Sequence, residues 1–309
     1  MSTNNVSMIP NGYTLLRRAG QGTQAKVYTC LPNPAITFAR NALDDGDEVE
    51  HVGSALLSQV VAVKSSYTGS LRAEIRILNA IRTQSSHHKG GMHCTQLLDY
   101  ERPSASPNWF SMSTTPVCCD LHAFSEQLPG PLPKSVLWLV ATQLYDAFWF
   151  LHRVCAPPIA HLDVGLSNFT ISYPGADSIG APKITLLDFG AAVIVPEAES
   201  LGQTRTREDD VANFCYEIYT LCLECCDGSE EPSGIGAEKM RRFMRIWSDV
   251  TNLEQLRVEF GQFAEEQLAL VEERDWQEVK DLVLQTVQRV DEQEGSIRDA
   301  VLKILEVNN

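Results

Sequence analysis

Two short polar segments in the middle of the chain limit strongly how it can fold. The first is His161-Leu-Asp-Val-Gly-Leu-Ser-Asn168, and the second, Leu186-Leu-Asp-Phe-Gly190, follows after a Pro- and Gly-containing insertion. They contribute two carboxylates, Asp163 and Asp188, and the carboxamide of Asn168. Alone, the first segment is compatible with a capped turn before a strand. Carboxylate and carboxamide oxygens are hard donors of the kind that divalent cations prefer.

The part of the chain before these segments has the pattern of a small sheet with one helix. Alternating apolar residues around Gly20-Gln-Gly-Thr-Gln-Ala-Lys-Val-Tyr28 predict a hairpin. The β-branched run Val60-Val-Ala-Val63 predicts a strand that ends in Lys64. Apolar residues at helical spacing between positions 71 and 81 predict an amphipathic helix that carries Glu74.

The second half of the chain has a mainly helical pattern. Residues 134–153 form an almost unbroken apolar run, which predicts a central buried helix too short and too interrupted to span a membrane. Residues 169–172 and 184–187 predict a pair of strands. From residue 209 to residue 307 the pattern is helical.

Changes in composition along the chain predict where its lobes begin and end. We expect a flexible N-terminus over residues 1–12, a first lobe over 13–115 and a second lobe over 116–309, with the junction in a Ser-, Thr-, Pro- and Cys-rich stretch. Residues 31–59 contain prolines and the acidic run Asp44-Asp-Gly-Asp-Glu48. This segment is therefore predicted to be an acidic surface insertion outside the core.

The net charge disfavours two classes of partner. The 309 residues are 44% apolar, enough for a large core, and 25 Lys and Arg against 40 Asp and Glu give a formal charge of −15. Such a charge opposes binding to nucleic-acid phosphates or to an anionic membrane, so we expect no nucleic acid and no membrane as partner. The polar start and the lack of a long apolar span predict a soluble protein, cytoplasmic or nuclear.

The cysteines predict a reducing environment. Nine cysteines is an odd number, and most of them lie within apolar segments, which predicts buried reduced thiols. Cys222, Cys225 and Cys226 are close in sequence, but no second CxxC or nearby His completes a set of four zinc ligands.

Taken in order, these motifs resemble those of the protein kinase superfamily from about Tyr13 to Leu223, while the last third of the chain matches only as generic helices. The resemblance implies an α+β, two-lobed fold, with a small antiparallel β-rich N-terminal lobe and a larger, mainly helical C-terminal lobe. It also implies ATP and Mg²⁺ as cofactors, bound in the cleft between the lobes.

The resemblance assigns nucleotide binding to the first lobe. Gly20, Gly22 and Val27 match the Gly-rich loop, in which small residues let backbone amides approach phosphate oxygens. Ala25 stands at the third glycine position of that loop. Altogether, the nucleotide-binding residues implied are Gly20, Gly22, Ala25, Val27, Ala62, Lys64 and Met112.

The resemblance also assigns the catalytic and metal-binding groups. Val61-Ala-Val-Lys64 matches the strand whose lysine neutralises the α- and β-phosphates, and Glu74 matches the glutamate that orients this lysine. Asp163 matches the carboxylate that accepts the proton of the attacking hydroxyl. Asn168 and Asp188 match the two metal ligands. The implied catalytic residues are thus Asp163, Lys64 and Glu74.

Further along the chain, Asp210 matches an aspartate at the start of a buried helix. In the family this helix follows the activation segment, and its aspartate bonds the backbone amides of the catalytic loop. We therefore expect Asp210 to have a structural role rather than a catalytic one.

The catalytic loop departs from the family at two positions. Leu162 stands where most members carry the Arg that pairs with a phosphorylated activation loop. Gly165 replaces a Lys that helps to neutralise the transferred phosphoryl group. These two changes predict a slower reaction, or another cation in place of that Lys.

The activation segment is also unusual. Residues 191–208 form a very short stretch, and Val195-Pro-Glu197 comes too soon after the preceding motif for the family's APE element. Arg205 and Arg207 are candidates for the missing positive charge, although solvated arginines beside acidic neighbours are the more common situation.

The leading hypothesis is a protein-kinase-type phosphotransferase that moves the γ-phosphoryl group of ATP to a Ser or Thr hydroxyl with Mg²⁺. Its partner would be a protein, and the acidic surface suggests a basic one. Two alternatives stay open: a pseudokinase that serves as a nucleotide-binding or interaction scaffold, and a small-molecule kinase of the aminoglycoside or choline kinase type.

Overall fold

The computed structural model describes residues 9–22, 25–67, 69–86, 88–102, 106–174, 180–195, 201–226 and 237–306, with the backbone alone for 201–205. Most of the predicted flexible segment 1–12 lies outside these ranges. The strands are β1 (Tyr13–Gln21), β2 (Ala25–Pro32), β3 (Val61–Ser66), β4 (Leu97–Tyr100), β5 (Trp109–Ser113), β6 (Val117–Asp120), β7 (Ile159–Ala160), β8 (Phe169–Tyr173), β9 (Lys183–Leu186) and β10 (Val193–Ile194).

The helices alternate with these strands in the first half and dominate the second. They are α1 (Asn33–Asp44), α2 (Val49–Leu57), α3 (Arg72–Ser85), α4 (Leu121–Glu126), α5 (Lys134–Trp149), α6 (Leu201–Glu224), α7 (Ala237–Ile246), α8 (Leu253–Leu256), α9 (Gln262–Leu268), α10 (Glu273–Glu294) and α11 (Ile297–Glu306). Short 3₁₀ turns span Lys89–His93, Leu166–Asn168 and Trp247–Asp249, and single π turns span Phe150–Val154 and Arg257–Gly261.

The first lobe is built on a five-stranded antiparallel sheet in the order β1-β2-β3-β5-β4. The strand β3 lies at its centre, and its first five residues are buried, which suits the β-branched side chains of Val61 and Val63. The helix α3 packs beside β4. The predicted hairpin and the predicted amphipathic helix are confirmed, and the predicted strand exists but continues past Lys64 to Ser66.

The second lobe is built around α5. Eleven of its sixteen residues are buried, because α6, α9, α10 and β9 all pack against it. A helix that is apolar on every side is stable in water only at the centre of a core. Two small sheets, β6-β8-β9 and β7-β10, lie in this part of the chain. The predicted α+β fold with a β-rich and a mainly helical lobe is confirmed.

The prediction of a surface insertion over residues 31–59 is wrong. This segment forms α1 and α2, which bury Ile36, Ala39, Val52 and Leu56 in a second apolar cluster. A proline in the first turn of α1 lacks only an N–H that helix starts leave unpaired, so it begins the helix instead of preventing it. The acidic run forms the turn between the two helices, where Gly46 has a φ of +100°.

The prediction that residues 116–309 all belong to the second lobe is also wrong. While α10 packs against α4, α5, β6 and β8, the helix α11 packs against α1, α2 and β1. Its buried residues Ile297, Val301 and Leu305 complete the second apolar cluster. The chain therefore returns to the first lobe at its C-terminal end.

The predicted burial of the thiols is confirmed for most of them. None of the nine cysteines forms a disulfide, and seven of them are buried. Burial raises the pKa of Cys30 and of Cys215 to about 12, so these thiols are unreactive at neutral pH. In the part of the chain that the structure describes, no helix has both the length and the apolar character needed to cross a bilayer.

Two substitutions in α1 test whether residues 31–59 contribute to the core. Ile36 is 7% exposed and Phe38 is 77% exposed. Ile36→Ala should lower the free energy of unfolding by about 2–5 kcal/mol, because it leaves a cavity in the second apolar cluster. Phe38→Ala, the matched control, should change it by less than about 0.5 kcal/mol. Urea unfolding followed by circular dichroism measures both, and two equal small effects would contradict the packing.

Candidate functional site

A cleft of about 470 Å³ lies between the five-stranded sheet and the helical lobe. Most of the predicted site residues line it: Gly20, Val27, Ala62, Lys64, Glu74, Met112, Asn168 and Asp188. Several other lining residues were not predicted from the sequence, and they come from β1, from the end of β6, from β8 and from the C-terminal helices. Among them are Arg17, Asp120, Thr170, Val290, Glu294 and Ile297.

The ammonium of Lys64 connects the two lobes at the inner end of this cleft. Its Nζ donates to Glu74 Oε1 at 2.8 Å and to Asp188 Oδ1 at 2.7 Å. Lys64 lies in β3, Glu74 in the first turn of α3, and Asp188 two residues after β9. The side chains of Lys64 and Glu74 are only 11% and 6% exposed, whereas that of Asp188 is 47% exposed. One face of Asp188 is thus open to the cleft.

The charges in this cluster stabilise one another. Burial disfavours the Lys64 ammonium, but the carboxylates of Glu74 and Asp188 outweigh it and raise the pKa of Lys64 above its ordinary value. Burial opposes ionisation of Asp188 as well, yet Lys64 and the backbone N–H of Gly190 hold the pKa of that carboxyl below its usual range. Burial raises the pKa of Glu74, and Lys64 counteracts this only partly. At neutral pH the cleft therefore contains a charged Lys64 and an ionised Asp188.

The loop that carries Asp163 is held by one buried carboxylate. Asp210, at 0% exposure, accepts hydrogen bonds from the backbone N–H groups of His161 and Leu162, both at 2.7 Å. Its Oδ2 also bonds the ring of His152 at 2.9 Å. The expected structural role of Asp210 is confirmed. Leu162 has a φ of +63°, an unfavourable conformation for a branched side chain, and these bonds offset its cost.

His161 packs beneath the site as a neutral side chain. Its Nε2 lies 2.8 Å from the carbonyl oxygen of Leu187, and its Nδ1 accepts from the N–H of Asp163 at 3.3 Å. An accepting Nδ1 leaves the proton on Nε2, which donates to Leu187. Burial lowers the pKa of His161 despite the nearby carboxylates. Its ring also contacts Phe189 edge to face, with centroids 4.9 Å apart.

Asp163 and Asn168 form a polar pair next to the cleft. Asn168 Nδ2 donates to the Asp163 carboxylate at 2.9 Å and to its backbone oxygen at 2.8 Å. Asn168 and its neighbour Ser167 line the cleft, whereas Asp163 is an exposed residue that is not part of the cleft wall. The amide nitrogen is occupied by Asp163, so the amide oxygen of Asn168 is the atom free to act as a ligand.

The Gly-rich hairpin is described except for residues 23 and 24. The N–H of Gly22 donates to the carbonyl oxygen of Ala25 at 2.9 Å, and the hydroxyl of Tyr67 donates to the carbonyl oxygen of Gly22 at 2.6 Å. Gly20 lines the cleft, but Gly22 and Ala25 do not. Of the three small residues predicted to approach phosphate, the structure brings one to the cleft and leaves two in the turn beyond it.

One of the two departures in the catalytic loop, Gly165, has unfilled space around it. Gly165 has an extended backbone, with φ at −168°, and a Cβ built there would meet only the Glu217 carboxylate, at 3.9 Å, among the described atoms. The loop therefore has room for a side chain at position 165, and the absence of a lysine is not forced by packing. Burial raises the pKa of Glu217, which lies half-buried on α6.

The activation segment is only partly described. It begins with β10, which pairs with β7 in the antiparallel register Val193 to Ala160. The N–H of Val195 then donates to the carbonyl oxygen of Pro158 at 2.8 Å. The last two residues of Val195-Pro-Glu197, which comes too soon to be the APE element, lie outside the described residues, as does the side chain of Arg205. Arg207 is described and half-buried.

The residues of the cleft fit a divalent cation with oxygen ligands. All hydrogen bonds described for Asp188 use Oδ1, so Oδ2 is left for a metal on the open side of this carboxylate. Asn168 lines the same cleft, and because its Nδ2 is bonded to Asp163, its amide oxygen is the atom left for a metal. A carboxylate and a carboxamide are hard ligands that suit Mg²⁺, which otherwise keeps water and phosphate oxygens in its shell.

Comparison with known proteins identifies the class of fold. No protein-family model matches the sequence, and no curated protein matches it either. Among solved structures, a double mutant of the PknI kinase domain of Mycobacterium tuberculosis is similar, with a TM-score of 0.50 and 16% identity over 87% of this chain and 100% of that one. Vaccinia related kinase 3 is similar with a TM-score of 0.53 and 12% identity, over 82% of this chain and 87% of that one.

These similarities, at low identity, establish the fold alone. The chain is a protein-kinase-like domain with a β-rich N-terminal lobe and a mainly helical C-terminal lobe.

The depressed pKa of His161 predicts a specific pH dependence of stability. The unfolded chain binds a proton at this position below about pH 6.5, and the folded chain does so only at lower pH. Stability is therefore fully present above pH 6.5 and is lost as the pH falls towards the folded pKa, by up to about 1.4 kcal/mol per pH unit. Urea unfolding between pH 7.5 and pH 5 should give a shallower decline for His161→Gln than for the wild type.

The exposed His51 in α2 supplies the control for this experiment. His51→Gln should keep the wild-type pH dependence, because His51 is exposed on the surface of its helix. If His161→Gln and the wild type lost stability in parallel, the neutral state of the buried ring would be refuted.

Proposed function

We propose that this protein is an ATP-dependent phosphotransferase of the protein kinase type, which transfers the γ-phosphoryl group to a Ser or Thr hydroxyl. The observation that supports it most directly is the double ion pair of Lys64 with Glu74 and Asp188 at the inner end of the cleft. An ammonium fixed between two carboxylates, one of them half-exposed, gives a site with adjacent places for phosphate and for a cation.

The nucleotide would lie along the cleft between the sheet and the helical lobe. Val27, Ala62 and Met112 line it and provide apolar contacts for a base. Lys64 would neutralise phosphate oxygens at the inner end. Asp188 and Asn168 would hold Mg²⁺, which, when bound, neutralises charge on the phosphate oxygens.

Asp163 is the group we assign to proton transfer. Its carboxylate would accept the proton of the acceptor hydroxyl as the new oxygen–phosphorus bond forms and the bond to the β-phosphate oxygen breaks, releasing ADP. Its hydrogen bond from Asn168 at 2.9 Å fixes the carboxylate next to the proposed metal site. The mechanism relies on positioning and on charge, as is general for phosphoryl transfer.

The acceptor is proposed to be a protein with basic residues near its hydroxyl. The protein has a formal charge of −15, and near Gly165, where the family has a lysine, the closest group is the carboxylate of Glu217. A negative potential beside the acceptor position attracts a cationic substrate. We also propose a cytoplasmic location, with the nucleus as the alternative, because buried free thiols suit a reducing compartment.

A pseudokinase is the second candidate, and Gly165 is the observation that favours it. The loop has space for a cationic side chain there and carries none. The same cleft would then bind nucleotide without useful turnover, and the protein would act through its surface. A third candidate is a small-molecule kinase. It differs from the first candidate only in its acceptor, which is a small alcohol instead of a Ser or Thr side chain.

Replacing Asp163 tests phosphoryl transfer. Asp163→Asn removes the proton acceptor and should reduce phosphate incorporation by about 100-fold or more. The measurement follows labelled γ-phosphate into Ser- and Thr-containing peptides, basic and acidic, and into small alcohols such as choline. Asp99→Asn, at an exposed carboxylate on β4, is the matched control and should keep wild-type activity. Equal incorporation by Asp163→Asn and the wild type would rule out the assigned mechanism.

Ligand-induced stabilisation tests nucleotide binding independently of turnover. At about 100 times Kd, ATP with Mg²⁺ should stabilise the wild type by about 2.7 kcal/mol, measured as an upward shift of Tm. Lys64→Ala should lose most of this shift, and Asp188→Asn should lose its dependence on Mg²⁺. Lys239→Ala, at an exposed position on α7, should keep both.

The two measurements together separate the candidates. A shift of Tm without phosphate incorporation would identify the pseudokinase. No shift in the wild type would refute nucleotide binding altogether.

A further inference from the structure

One wall of the cleft comes from an unexpected part of the chain. Val290 and Glu294 at the end of α10 and Ile297 at the start of α11 line the same cleft as Lys64 and Asp188. We call residues 290–298 the C-terminal corner. It contributes a half-buried Val290 and a buried Ile297, so this part of the cleft has an apolar component.

The C-terminal corner is tied to the strand that leads into the Gly-rich hairpin. Arg17 of β1 forms an ion pair with Asp291 of α10, and their side chains are 10% and 25% exposed. The same Arg17 guanidinium donates to the carbonyl oxygen of Gly295 at 3.3 Å. Arg17 itself lines the cleft. These bonds thus attach the corner to the first lobe at the edge of the proposed nucleotide site.

Each arm of the corner is anchored in a different lobe. The helix α10 is held by the second lobe, where Tyr173 donates to the carbonyl oxygen of Trp276 at 3.1 Å and Arg289 to that of Gln127 at 2.8 Å. The helix α11 is held by the first lobe, where Arg40 donates to the carbonyl oxygen of Ile304 at 3.0 Å. The corner therefore bridges the lobes beside the cleft, and any widening of the cleft has to strain it.

The shape of the corner depends on Gly295. This residue ends α10 with φ at +93° and ψ at 141°, a combination that side chains other than glycine avoid. A Cβ at this position would meet no described atom within 4 Å. A substitution here would therefore act through backbone strain alone and would change the direction in which α11 leaves α10.

We propose that the C-terminal corner is a third element of the nucleotide-binding site, which fixes the distance between the lobes and slows the release of the bound nucleotide. This inference rests on the proposed function, because it assigns a role at the same cleft. Arg17 and Asp291 act as positioning residues: they hold Val290 and Ile297 in the wall of the cleft. Breaking their ion pair frees the lobes to separate and lets the nucleotide leave faster.

The test is a double-mutant cycle on the ion pair, with Arg17→Met and Asp291→Asn alone and together. Stopped-flow fluorescence with N-methylanthraniloyl ATP and Mg²⁺ measures the dissociation rate and Kd. Each single variant should raise both by about tenfold, and the double variant should add little, because both residues act through one contact. Arg153→Met is the matched control: it breaks an exposed pair with Glu254, at 2.7 Å and outside the corner, and should leave both values unchanged.

A second pair of variants tests the corner without removing a charge. Gly295→Ala and Gly180→Ala both introduce a side chain at a positive φ, of +93° and +92°, with no described atom within 4 Å. Only Gly295→Ala should speed nucleotide release, since Gly180 lies in the loop before β9. If Arg17→Met does not fold, Asp291→Asn and Gly295→Ala still test the corner.

The outcomes separate this inference from the proposed function. Failure of the wild type to bind the fluorescent nucleotide would refute the proposed function. If the wild type binds, and the corner variants lower the Tm of the free protein but release nucleotide at the wild-type rate, the corner is only a structural support and the inference is overturned.

Discussion

The buried ammonium of Lys64 sets the geometry of the whole site. Burying a charged amine without partners is very costly, so a lysine whose side chain is 11% exposed requires carboxylates within contact distance. Those carboxylates come from α3 and from the segment after β9, which belong to different lobes. The sheet, the helix α3 and the Asp188 segment are therefore not free to adopt independent positions. The cleft between the lobes exists in this form because one ion cluster holds its inner end together.

A second buried carboxyl group, that of Asp210, holds the loop that carries Asp163. Asp210 holds the backbone at His161 and Leu162 through two short hydrogen bonds, and Leu162 occupies a positive φ as a result. Because these contacts use backbone N–H groups, the loop keeps its conformation whatever side chain stands at position 162. This explains how the chain can replace the usual arginine by leucine without losing the placement of Asp163.

The sequence predicted the elements whose signals are local. The hairpin, the strand containing Lys64 and the helix carrying Glu74 were each indicated by the periodicity of their own residues, and the order of the polar motifs indicated that the elements meet. Lys64 and Glu74 are separated by ten positions in the sequence, and the structure joins them in an ion pair. Local patterns could not predict that Gly22 and Ala25 lie outside the cleft. Which residues of a hairpin line the cleft depends on the register and twist of its two strands.

The sequence did not predict the elements whose partners are distant. Over residues 31–59, the prolines and the acidic run are equally compatible with a loop and with two helices joined by a turn. The deciding contacts come from α11, more than two hundred positions away, as the 248-residue separation of Glu50 and Arg298 illustrates. The C-terminal corner was missed for the same reason: Val290 and Ile297 have the spacing of ordinary core residues, and nothing in their own segments indicates which surface they cover.

The long-range packing of α11 has a consequence for how the protein is made. The second apolar cluster cannot close until residues 297–306 have left the ribosome, although α1 and α2 leave it more than two hundred residues earlier. During synthesis, Ile36, Val52 and Leu56 therefore remain uncovered by their final partner. Apolar surface that stays exposed until a later segment has been synthesised is prone to aggregation and is a target for chaperones. The N-terminal lobe should thus complete its folding only after the helical lobe and α11 have been synthesised, in contrast to the usual N-to-C order of domain formation.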